Sequence, residues 1–164
     1  RDTKAELKSV EKEIAKTLKY AKSIINQDPQ LKEDVRRLDT IVGIGELTAI
    51  ILVSMVDFRK FDCPRMLAIF LGLSNKRKTS GTSVHEKERI SKAGNPAVRT
   101  ALFYPAMSAI EANPQLREFA ARLKAKGKIY PVIRTAVTRK LVMLAWTLLA
   151  KGIDYDPAHV GGPN

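Results

Sequence analysis

Residues 73–99 read LSNKRKTSGTSVHEKERISKAGNPAVR, and their types suit one kind of chemistry. Ser80 stands beside Gly81, with Lys76, Arg77 and Lys78 before it and Lys87 and Arg89 after it. A serine hydroxyl that attacks a phosphodiester must be exposed. It also needs cations around it to hold the phosphate and the charge developing there. Ser80 meets those demands of composition. Ser74, Ser83 and Ser91 compete with it, and a serine that hydrogen-bonds its own turn is the commoner case. Lys92 and Arg99 extend the positive charge, against only Glu86 and Glu88 within the stretch. Long polar connections inside compact domains are usually functional or disordered. The alternation from 76 to 90 also allows a β-hairpin turning near Ser80-Gly81 or Thr82-Ser83.

Other chemistries are poorly served. His85 and His159 are far apart, and no nucleophile elbow accompanies them. There is no Walker A loop, dinucleotide fingerprint or clustered set of carboxylates, so no cofactor or metal site is expected in this chain. Cys63 is the single cysteine, which excludes an internal disulfide and a cysteine-based zinc site and fits a reducing, cytoplasmic setting.

The elements that must hold this stretch are helical by pattern. The 164 residues are 45% hydrophobic but only 6% aromatic, which favours helices packed on aliphatic stripes. A net charge of +12 points to a polyanionic partner, with a merely solvated basic surface as the blander reading. No apolar run is long enough to span a membrane, no signal peptide is evident, and no membrane partner is expected. The chain starts at Arg1 without methionine, directly in helical sequence, and is expected to be a piece of a longer protein.

Leu7, Val10, Ile14, Leu18, Ala21 and Ile25 form one narrow stripe, suited equally to packing on the chain's own domain or to a coiled-coil dimer. Asp28-Pro29 should end that helix. In residues 31–55 a short helix through Leu38 leads to Ile41-Val42-Gly43-Ile44-Gly45 and an apolar helix, 46–55. This looks like a helix-hairpin-helix. Gly43 and Gly45 would let the backbone approach a phosphate facing the free N–H groups of the second helix, and Ile41 and Ile44 would pin the turn into the core. Such a turn can also be purely structural.

Further helices are expected over 64–73, with Met66, Leu67, Phe70 and Leu71 on its apolar face, and from Asn95-Pro96, kinked by Pro105. Asn113-Pro114 and Tyr130-Pro131 open two more, ending near Gly127 and Gly152. The last is apolar around most of its circumference and should be the central core helix. Residues 154–164 read as tail. The division expected is a coiled-coil-like linker helix over 1–30, a mainly α helix-hairpin-helix domain over 31–157 and a tail over 158–164.

The order IVGIGELTAIIL, FRKF, LAIFLGLSNKRKTSG, ERISKAGNPAVRTAL and GIDYDP resembles the C-terminal transposase domain of the insertion sequence 110/116/902 family, which includes the Piv DNA invertases. The likeness runs from about Arg37 to Pro157. It implies DNA recombination by a serine of this domain, falling on Ser80, linked covalently to DNA. An acidic tetrad in a separate N-terminal RuvC-like domain would bind Mg2+. It also implies DNA as partner and, in some members, a structured guide RNA. The first helix looks like the coiled-coil segment between the two domains, and a homo-oligomer through it is expected. Glu86 and Glu88 depart from the family's Gly/Arg-rich pattern, which bears on contacts around Lys87. Without the resemblance, two other readings stand: a non-catalytic helix-hairpin-helix module for DNA or RNA, and a helical interaction module.

Overall fold

The computed structural model describes residues 3–76 and 89–158. Among these the chain is mainly α, as expected: α1 (Thr3–Ile25), α2 (Pro29–Asp39), α3 (Glu46–Met55), α4 (Pro64–Phe70), α5 (Pro96–Ala101), α6 (Phe103–Ala112), α7 (Pro114–Ala125) and α8 (Tyr130–Lys151). A 3-10 turn covers Phe58–Lys60. Two short strands, β1 (Asn75–Lys76) and β2 (Arg89–Ile90), pair antiparallel.

α8 is the axis of the body. It packs against α2, α4, α6, α7 and the 3-10 turn, and it buries Ile133, Val137, Leu141, Val142, Ala145 and Leu148. Side chains buried on several faces of one helix explain why its apolar pattern runs around the circumference. Trp146 joins this core, and its indole Nε1 donates to the Phe61 carbonyl at 3.0 Å.

Four boundaries differ from the sequence expectation. Asp28 does more than end α1: its carboxylate accepts from the N–H groups of Gln30 and Leu31, so α2 begins at Pro29 rather than 31. The helix from Pro64 stops at Phe70 and buries Leu67 and Ala68, with Leu71 buried just beyond it, while Met66 and Phe70 stay exposed. The stretch after Asn95 is two helices, not one kinked helix. Pro105 has no N–H to donate and its ring would clash with the carbonyl four residues earlier. The chain therefore breaks at Leu102 and restarts, placing Pro105 in the first turn of α6. Finally, the start of the expected tail is docked. The Tyr155 N–H donates to Thr40 Oγ1 at 2.9 Å and its hydroxyl donates to Asn113 Oδ1 at 3.0 Å.

Candidate nucleic-acid interface

The basic segment leaves the body at the end of α4 and returns at α5, and the structure ties its two ends together. The register Asn75↔Ile90 and Lys76↔Arg89 joins β1 and β2 side by side. Below it, the Ser91 N–H donates to the Ser74 carbonyl at 2.9 Å and the Lys92 N–H to the Gly72 carbonyl at 3.1 Å. Gly94 lies directly on the chain at Phe70 and Leu71, where a Cβ would collide with backbone. The half-buried Arg99 closes this crossing, its Nη1 donating to the carbonyls of Leu71 at 3.1 Å and Gly94 at 2.7 Å. From α8, Arg139 Nη1 reaches the Leu73 carbonyl at 3.4 Å. Lys92, exposed, holds a φ of 53°, a left-handed backbone that costs about 1 kcal/mol or more for a non-glycine residue. Such strain persists only where surrounding contacts impose it, and here the crossing at Gly72 and Gly94 does so.

Lys76 and Arg89 are therefore paired in register across β1 and β2. Lys92 follows just after β2, and Arg99 stands on α5 with its guanidinium turned to the crossing. Ser80, Arg77, Lys78 and Lys87, with Ser83 and the expected hairpin turn, lie outside the described residues.

The second candidate surface is the turn from α2 to α3. Ile41 and Ile44 are buried, as the pattern required. The two glycines are not equivalent. Gly43 has φ +109°, and a Cβ there would lie 2.6 Å from the Ala109 Cβ, so the fold itself demands glycine. Gly45 has φ −99° and ψ 170°, open to most residues, and among the described residues nothing comes within 4 Å of where its Cβ would stand. It is the N-cap of α3 and supplies no side-chain cap. Glu46 in the first turn is drawn to Lys22 at 2.7 Å.

Asn113 fixes this turn from below. Fully buried, it donates through Nδ2 to the Val42 carbonyl at 3.2 Å, while Oδ1 accepts from the Leu116 N–H and the Tyr155 hydroxyl. The Asn-Pro spacing gives the cap of α7 from sequence, but not the reach to Val42. Arg139 and Tyr155 were likewise missed: nothing local in their sequence signals a partner 66 or 115 residues away.

The described residues bring together no group of three or more His, Cys, Asp or Glu side chains able to hold a metal ion, and none of their helices is long and apolar enough to cross a membrane. They offer no cage for Mg2+.

Comparison with known proteins places these features. Over 135 residues the chain is 32% identical to the pilin gene-inverting protein of Moraxella bovis, a match covering 81% of this chain and 42% of that one. It is 30% identical over 126 residues to the insertion element IS110 uncharacterized 43.6 kDa protein of Streptomyces coelicolor, covering 76% and 31%. The transposase for insertion sequence element IS1111A of Coxiella burnetii matches at 38% over 78 residues, covering 45% and 20%. The chain thus spans less than half the length of these relatives. The model of the transposase IS116/IS110/IS902 family fits residues 35–121, from α2 into α7 and across the whole basic segment, and the chain belongs to that family.

Proposed function

We propose that this chain is the DNA-engaging, serine-bearing C-terminal domain of an insertion-sequence transposase or DNA invertase. The reading rests on one observation above others: the family match spans a basic segment whose two ends are stapled to the core. In this reading Ser80 Oγ gives up its proton and attacks a DNA phosphorus; a Ser–O–P bond forms, the P–O bond to the departing strand breaks, and that strand's oxygen takes up a proton and leaves as a hydroxyl. Attack by a strand hydroxyl on the Ser80 phosphodiester reverses the step and joins the new strands. Lys76, Arg77, Lys78, Lys87, Arg89, Lys92 and Arg99 supply the field that holds phosphate and stabilises the pentacoordinate charge. The boundaries proposed are 1–30, 31–157 and 158–164. A preceding RuvC-like domain would contribute the Mg2+ site and complete the enzyme, leaving this chain alone able to bind DNA but not to recombine it. A structured guide RNA, a second copy joined through α1 and a cytoplasmic location complete the proposal.

The test is Ser80→Ala in the complete transposase. Strand transfer should fall to background while duplex binding changes less than twofold. Recombination at wild-type rates in that variant would sink the assignment.

A second reading, a non-catalytic helix-hairpin-helix module for DNA or RNA, draws support from Gly45. That residue is a glycine that backbone geometry does not require, at an open helix N-terminus. The same Ser80→Ala experiment separates the two, because this reading predicts no effect.

A further inference from the structure

At the restart after Leu102, α6 opens with two adjacent aromatic side chains that the core does not absorb. Phe103 is 36% exposed and Tyr104 is 73% exposed. Their ring centroids lie 5.2 Å apart at 75°, edge to face. The guanidinium carbon of Arg134, from the second turn of α8, sits 3.9 Å from the centroid of the Phe103 ring. Pro105 causes this arrangement: by forcing the break at Leu102 it begins a new helix with Phe103 and Tyr104 in its first turn.

We infer that Tyr104, Phe103 and Arg134 form a platform on which an unpaired base of single-stranded DNA stacks. This rests on the DNA-engaging reading above and adds the state of the strand it holds. An aromatic face can receive a base only once that base has left its own stack, so duplex DNA cannot use it. Arg134 places a cation beside the ring, complementary to the phosphate that follows a stacked base, and its own cation–π contact holds the guanidinium in place. The net charge of +12 makes an anionic polymer the matching occupant. The platform is close along the chain to the described ends of the basic segment. α5 starts just after the segment's return, and Arg134 is about 7.5 Å along α8 from Arg139, which holds the Leu73 carbonyl at its start.

The experiment measures binding of the 164-residue chain to oligothymidylate, a length-matched abasic oligomer, a duplex and oligouridylate, each at two salt concentrations. Tyr104→Ala should weaken oligothymidylate binding about tenfold, the usual scale for one stacked base. It should leave abasic and duplex binding unchanged, and the salt slope with them, since phosphate contacts are kept. Tyr104→Phe should retain wild-type affinity. Equal losses on all four ligands, or no loss on oligothymidylate, would overturn the platform. A Tyr104-dependent preference for oligouridylate would overturn its assignment to DNA in favour of RNA. A wild-type chain that binds no polynucleotide at low salt fails the platform and the DNA reading together. Firm duplex binding with an indifferent Tyr104→Ala variant fails the platform alone.

Discussion

Gly43 and Gly45 stand two residues apart and answer to different constraints. An alanine at 43 must take a positive φ and push against Ala109, which should cost about 1–3 kcal/mol and lower the melting temperature. An alanine at 45 fits the backbone and meets open space. There the loss of a glycine N-cap is roughly offset by the reduced freedom of the unfolded chain, so stability should stay within about 0.5 kcal/mol. If the turn meets a phosphate, Gly45→Ala should nonetheless weaken duplex binding several-fold, read by titration beside a thermal melt. A melt unchanged by Gly43→Ala, or binding unchanged by Gly45→Ala, would break this division. The sequence showed both glycines and a reason for glycine in such a turn. It could not show which of them the fold had already used, because Ala109 is remote in the chain. Arg99 teaches the same lesson: its charge is legible in sequence, its clamp on Leu71 and Gly94 only in three dimensions.

At the scale of elements, apolar periodicity and prolines located most helices, and the errors cluster where a residue acts on a neighbouring element. Asp28 caps the helix that follows it, and Pro105, inside the first turn of α6, ends the helix before it. Residues 152–155, just after α8, have no periodicity to read, yet they are held. Gly152 caps α8, Asp154 pairs with Arg36 at 2.6 Å, and Tyr155 reaches Thr40 and Asn113. Hydrogen bonding to Arg36 holds the Asp154 and Glu33 carboxyls below the usual range, but these groups are exposed and water screens their contribution. Tyr155 is the stronger tie. Burial pushes its phenol above the ordinary value, with the Asp156 carboxylate adding to the shift. A group whose folded pKa is raised gives its stability in full below the unfolded pKa and loses it as pH rises through the folded one. The stability advantage of the native chain over Tyr155→Phe should therefore be constant up to about pH 10 and shrink above it, in melts taken across that range. A constant difference through the alkaline range would mean that the phenol's proton does not hold the strap.

For the whole molecule, the open question is what covers the outer turns of α1. The apolar stripe of α1 is continuous in sequence, but the fold divides it. Ile25 is buried and Leu18 and Ala21 are half-buried where α1 packs on α2 and α3, with Lys22 tied to Glu46. Leu7, Val10 and Ile14 are more than half exposed on the outer turns. Sequence alone offered packing on the domain and self-association as equal uses of one stripe; the structure assigns the first to its C-terminal half and leaves the other half uncovered. Aliphatic side chains three and four residues apart, flanked by lysine and glutamate, make a seam that a second α1 can cover. Ile14→Lys places a charge in the middle of that seam and touches nothing in the core. In sedimentation equilibrium the native chain should associate as concentration rises, and Ile14→Lys should remain a monomer with an unchanged melting temperature at low concentration. A native chain that stays monomeric throughout would remove α1 as a contact between copies.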